Sequence, residues 1–150
     1  SMSIGGICNR KVVVMQAEEL AAEAARLMRD QHVGSILIVD EQDGKRVPVG
    51  IVTDRDLVVE VIAPELDPEV ITVGDIMMTG FAVAKEETGV FEAIQYMRAK
   101  GVRRLPVVDI EEKLVGIVTL DDLLILLLEE LDALAKLVVR EQQNELAVRR

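Results

Sequence analysis

Two octapeptides carry the groups best suited to holding a ligand: GIVTDRDL from Gly50 to Leu57 and GIVTLDDL from Gly116 to Leu123. In each, a hydroxyl is followed three residues later by a carboxylate, Thr53 with Asp56 and Thr119 with Asp122. The apolar run before the threonine reads as a strand and the residues after it as the first turn of a helix. Both side chains therefore project from one strand-to-helix corner. A carboxylate there can accept hydrogen bonds from two adjacent hydroxyls, such as a ribose diol, while the threonine hydroxyl and the open helix N–H groups suit sugar or phosphate oxygens. The same spacing also makes a helix cap, with threonine at the N-cap and aspartate at N3. One residue can serve both purposes.

Other chemistries find few parts. Cys8 is the single cysteine and His32 the single histidine, so one chain builds no disulfide, Cys/His zinc cluster or Cys–His catalytic pair. His32 reads as a helix-end residue. The chain has no P-loop, no repeated Ser–His arrangement and no metal-ligand spacing; the expectation is a binding module, neither an enzyme nor a metalloprotein. Lys plus Arg number 17 against 27 Asp plus Glu, a net charge of −10, which disfavours general binding to nucleic acid or anionic membranes. An anionic ligand would need a local basic cluster. Arg55 stands inside the first octapeptide where the second has Asp121, and Arg103-Arg104 stand where the first half has Gly34-Ser35.

The composition suits a reduced, cytoplasmic protein. The longest apolar run, Leu123 to Leu128, falls far short of the roughly 20 residues that span a bilayer. A signal-peptide pattern is not seen at the N-terminus, and Ser1 before Met2 reads as a cloning remnant.

The octapeptides belong to a longer repeat. Displaced by 69 residues the chain matches itself at Ile7/Ile76, Val14/Val83, Glu18/Glu87, Ala24/Ala93, Met28/Met97, Arg29/Arg98, Val33/Val102 and Val39-Asp40/Val108-Asp109. The offset then falls to 66, because EQDGKRVPV in the first copy stands where the second has IEEKLV. Each copy reads as a short β-branched strand (KVVVM; FAVA), an amphipathic helix (about 17–31; about 87–100), two strands joined by a polar turn, and a second helix from about Arg55 or Asp121. Pro48 and Pro106 read as edge or strand-entry residues. The unit is β-α-β-β-α, used twice, in an α/β (α+β) chain. A unit of about 60 residues buries little surface alone, so the two are expected to pair with pseudo-twofold symmetry. The expected division is 4–63 and 75–131 for the units, 64–74 for a linker broken by Pro64 and Pro68, and 132–150 for a helical extension.

This arrangement, with DIM before the second unit and GVRRLPVVD inside it, resembles a cystathionine-β-synthase (CBS) domain pair, or Bateman module, over about residues 4–131. The resemblance implies two clefts, frequently an adenosyl ligand, and often a disc-shaped dimer of pairs. It places ribose contacts on Thr53, Asp56, Thr119 and Asp122. The basic candidates for phosphate are Arg55, Arg103 and Arg104. It puts the base against Thr79, Gly80, Phe81, Ala82, Val102 and Leu105 in the second copy and against Arg10, Lys11, Val12, Val13, Val33 and Ile36 in the first. Most of these apolar residues read equally as core. The second copy is the better candidate, because Gly80 permits close backbone approach.

Past Asp122, Leu120, Leu124, Leu127, Leu131, Leu134 and Val138 recur at helical spacing, and Leu123, Ile125, Leu126 and Leu128 make the early part apolar nearly all round. That pattern implies an intersubunit surface. The polar residues from Glu141 to Arg149-Arg150 are expected to fray. The expected function is a stand-alone regulatory module sensing AMP, ADP or ATP, with S-adenosylmethionine or NAD less favoured. It would act as a homodimer on an unidentified protein partner. The alternative is a ligand-free dimerisation or docking module.

Overall fold

The computed structural model describes residues 2–149; Ser1, Arg150 and the side chain of Arg149, with the expectations placed on them, lie outside this range. The apolar runs form two three-stranded sheets, one of β1 (Val14–Met15), β2 (Ser35–Gln42) and β3 (Lys45–Thr53), the other of β4 (Ala84–Lys85), β5 (Arg104–Val108) and β6 (Leu114–Thr119). In each, the short first strand runs parallel to the second. Parallel neighbours need a long crossover, supplied by α1 (Ala21–Gln31) and α4 (Val90–Lys100). β2 and β3 form an antiparallel hairpin whose tip, Asp43-Gly44, takes the positive φ angles of a two-residue turn. The α/β class and the twofold use of one unit are as the sequence implies.

Helix ends follow local chemistry. α1 stops at His32 and α4 at Gly101, both left-handed with φ 54° and 66°, and each returns its N–H to a carbonyl of the last turn. The helices start later than the periodicity suggests, at Ala21 and Val90 in place of about 17 and 87. Residues 16–19 form a turn instead, in which Glu19 accepts the Gln16 N–H at 2.7 Å and Glu19 N–H bonds the Gln16 carbonyl. Leu20 stays extended and bridges to Thr72. The linker is partly structural for a related reason: the first N–H groups of a helix lack internal partners, and those of Ala21 and Ala22 bond the carbonyls of Ile71 and Pro68.

Pro48 sits in edge strand β3 beside the register shift at Ile38/Val39. Pro106 departs from expectation, being buried inside the central strand β5. β4 pairs only with Val107 and Val108, so the missing proline N–H falls on a stretch of β5 that β4 does not reach.

The two repeats exchange their leading segments. Val73 and Gly74, which open the short helix α3 (Val73–Ile76), and Met78 lead the second repeat and donate to Glu19, Ala17 and Ile51 of the first at 2.8 Å each. Their counterparts 69 residues earlier, Ile4, Gly5 and Asn9, donate to Thr88, Glu86 and Ile117 of the second at 2.8, 2.8 and 2.9 Å. Ile4 and Val73 are fully buried, each worth about 1.5–3 kcal/mol. Val73 enters the first repeat's own core of Met15, Ala24, Met28, Ile36, Ile38 and Val52. A second apolar cluster joins the repeats, with Leu37, Val39 and Ile51 of the first sheet meeting Leu114 of the second under Val12, Val14 and Phe81.

The glycines of the two octapeptides permit the crossing. A Cβ on Gly50 would overlap the Met77 sulfur and lie 2.8 and 2.9 Å from Met77 Cγ and Cβ, and one on Gly116 would lie 2.6 Å from the Asn9 carbonyl oxygen and 2.8 Å from Cys8 Sγ. The chain accordingly divides into compact units Ser1–Val118 and Thr119–Arg150, with both repeats' sheets in the first. The second is one continuous helix, α5 (Leu120–Arg149), so the boundary expected at Leu131 falls inside a helix.

Met77 Cβ and Cγ are tied to their backbone and the Asn9 carbonyl is part of its own, so neither clash is relieved by a rotamer change. Gly50→Ala and Gly116→Ala are therefore each expected to cost about 1–3 kcal/mol, the range for overpacking, read as the difference in urea-unfolding midpoints at unchanged slope.

Candidate functional site

The first octapeptide ends β3 and starts α2 (Asp54–Leu57), which runs into a π-helical turn, Val58–Ile62. Thr53 is extended at the N-cap; its hydroxyl accepts the Asp56 N–H at 3.2 Å while Asp56 Oδ2 accepts the Thr53 N–H at 2.9 Å. This is a complete capping box. It engages Asp56 Oδ2 and one of the two lone pairs of the hydroxyl. Asp56 Oδ1 and the threonine O–H remain, an acceptor and a donor on half-buried side chains. In the second octapeptide the Thr119 hydroxyl accepts the Asp122 N–H at 3.1 Å.

Sheet register brings several first-copy residues to the same end of one sheet. Ser35 pairs with Thr53 and Ile36 with Val52, the Leu37 N–H bonds the Val13 carbonyl at 3.1 Å, and the Asp54 N–H bonds the Gly34 carbonyl at 3.0 Å. Val12, Val13, Gly34 and Thr53 through Asp56 thus cluster where the strands meet the helix. Arg55 and Asp54 are exposed there. Asp54 was not singled out in the sequence, yet its carboxylate lies over Gly34, 3.2 Å from where a Cβ would stand, and accepts the Arg55 N–H at 2.9 Å. The available signal was its place between two motif residues, where the second copy has Leu120.

The base-lining candidates divide among several surroundings, Val12 and Val13 included. Val13, Val33 and Ile36 pack into the core cluster that takes in α1 residues Ala24 and Met28, Ile36 being 1% exposed. Val12 and Phe81 pack in the cluster between the sheets. Lys11 is exposed, its N–H turned to the Asn9 side chain at 3.0 Å. Arg10 points elsewhere: Nη2 donates to the Gly5 carbonyl at 3.0 Å, and the side chain borders a polar cavity of about 500 Å³ with Arg46, Glu86, Asp109 and Lys113. In the second copy, Thr79 and Gly80 are exposed, Gly80 with φ 67°; Phe81, Ala82, Val102 and Arg104 are half-buried, Arg103 exposed and Leu105 fully buried. These belong to the first compact unit, while Thr119 and Asp122 belong to the second.

Cys8 is no activated nucleophile. Its thiol donates to the Gly5 carbonyl at 3.6 Å, and burial pushes its pKa up against the smaller lowering by Arg10. Among the described residues no group of three or more His, Cys, Asp or Glu side chains converges as a metal site requires. No helix among them is long and apolar enough to cross a membrane.

A family model for the CBS domain matches residues 4–63 and 73–129. Over 124 residues, 83% of this chain, the sequence is 41% identical to the uncharacterized protein MK0525 of Methanopyrus kandleri, and the match spans 62% of that protein's length. Hypoxic Response Protein I, a Mycobacterium tuberculosis protein whose structure holds two coordinated zinc ions, aligns at TM-score 0.69 and 31% identity over 81% of this chain and 96% of its own. A hexameric CBS-CP12 protein from bloom-forming cyanobacteria aligns at TM-score 0.69 and 28% identity, covering 82% of this chain and 66% of that one.

The capping box has a measurable worth independent of any ligand. Thr53→Ala is expected to lower unfolding free energy by about 1 kcal/mol, with Thr53→Ser nearly neutral, in ligand-free chemical denaturation.

Proposed function

The chain belongs to the CBS-domain family as a tandem pair, and from that premise we propose that it is a regulatory module sensing an adenine nucleotide or related adenosyl compound. AMP, ADP or ATP is the first choice, ahead of S-adenosylmethionine and NAD. The supporting observation is the strand-to-helix corner of the first copy, where the cap leaves Asp56 Oδ1 to accept and the Thr53 O–H to donate. An acceptor and a donor side by side match a ribose diol. Thr119 and Asp122 repeat the pair, so the second copy takes the same class of ligand. Arg55, and in the second copy Arg103 and Arg104, would meet phosphate oxygens. Thr79 to Ala82 with Val102 and Leu105, and Lys11 to Val13 with Val33 and Ile36, would edge the base, the deeply buried ones from behind.

No reaction is assigned to it. Its output would pass through a homodimer and a protein partner in the cytoplasm. Assembly is supported by the hexameric CBS-CP12 relative. The second reading, a ligand-free docking or dimerisation module, is favoured by the capping box, which by itself accounts for Thr53 and Asp56.

Thermal unfolding separates the two. A ligand bound only by the folded state at about 100 times its Kd adds roughly 2.7 kcal/mol. AMP, ADP, ATP or S-adenosylmethionine should therefore raise the Tm of nucleotide-free protein. Asp122→Ala, alone or with Asp56→Ala, should abolish the rise relative to each variant's own ligand-free Tm. The absence of a rise with every one of these ligands and NAD would leave the docking module.

A further inference from the structure

Helix α5 presents an apolar face that a helix of its length cannot leave in water. Every residue from Glu129 to Val148 is exposed, yet Leu124, Leu128, Leu131, Leu134, Val138 and Leu146, all 49–64% exposed, recur on one side. The stripe runs about 33 Å at about 1.5 Å per residue. A contiguous apolar surface of that extent marks an interaction site, and a helix gains most of its stability by packing such a face.

Charge identifies the occupant and its direction. Residues 120–134 carry Asp121, Asp122, Glu129, Glu130 and Asp132 and no basic residue, net −5. Residues 135–149 carry Lys136, Arg140 and Arg149 against Glu141 and Glu145, net 3 − 2 = +1. Two copies laid parallel place −5 beside −5. Laid antiparallel, each acidic half meets a half of opposite net sign, and the helix dipoles align head to tail. One sequence thereby supplies both ends of a self-complementary twofold interface.

We propose that α5 pairs antiparallel with α5 of a second copy, crossing near Ala135. This rests on the homodimer reading above and gives it a surface. Sedimentation equilibrium of the full chain is expected to return the mass of at least two chains, and Leu131→Glu, at an exposed position, to return a smaller assembly with unchanged far-UV circular dichroism. Wild-type mass retained by Leu131→Glu would overturn α5 as the interface and leave the homodimer standing. A single-chain wild type would overturn both.

Direction is read by oxidative cross-linking in a Cys8→Ser background. Ala135→Cys, at the crossing point, is expected to form a covalent dimer and Leu124→Cys, near one end, is not. Every other pattern of the two overturns the antiparallel arrangement.

Discussion

The structure depends on a reciprocal crossing: each repeat lends its leading segment to the sheet and core of the other. Met78 extends the outer edge of β3 through paired bonds with Ile51, and Asn9 does the same for β6 through Ile117. Both edges would otherwise offer unpaired backbone to solvent or to another chain. The buried Val73 and Ile4 then plug the borrowed cores. A single repeat, deprived of its neighbour's leader, would lose an edge pairing and a core side chain together, and at its size it has little stability to lose.

The crossing also sets where the Thr-x-x-Asp corners lie. Gly50 and Gly116 must remain small because the partner segment passes directly over them, and three residues later the same strands end at Thr53 and Thr119. The repeated octapeptide therefore encodes two demands at once. Its glycine answers to packing, and its Thr-x-x-Asp answers to the helix start and to whatever is held beside it. The capping box engages Asp56 Oδ2 and one lone pair of the Thr53 hydroxyl, so the cap alone does not exhaust either group.

Much of this was legible from the sequence because it is local. The 69-residue offset, the Asp43-Gly44 turn, the equivalence of His32 and Gly101 as helix ends and the strand-to-helix corners all follow from short-range patterns. The exchange of leaders did not announce itself. It joins the first leader to residues about 80 to 110 positions away, as Gly5 to Glu86 and Asn9 to Ile117, and the second leader to residues about 30 to 60 away, as Met78 to Ile51 and Gly74 to Ala17, and residue type alone records only a strand-like or turn-like segment. The late start of α1 has the same origin, since Leu20 is held extended by Thr72 from the crossing segment. Pro106 misled for a different reason: a central strand tolerates proline where its neighbour β4 is only two residues long. Arg10 and the apolar base-lining candidates depended on side-chain direction, which alternation predicts for a strand and leaves open for the irregular stretch before it.

The two corners differ in charge more than in shape. In the first, Arg55 stands between Asp54 and Asp56, with the Asp54 carboxylate lying over Gly34. One arginine against two aspartates leaves the first octapeptide with a net charge of −1. In the second, Leu120 removes the extra carboxylate at that place but Asp121 replaces the arginine. Neither octapeptide by itself favours a highly charged ligand. An anionic ligand at either corner would draw on basic residues outside the octapeptides. The second copy differs in carrying Arg103 and Arg104 outside its octapeptide, where the first has Gly34-Ser35.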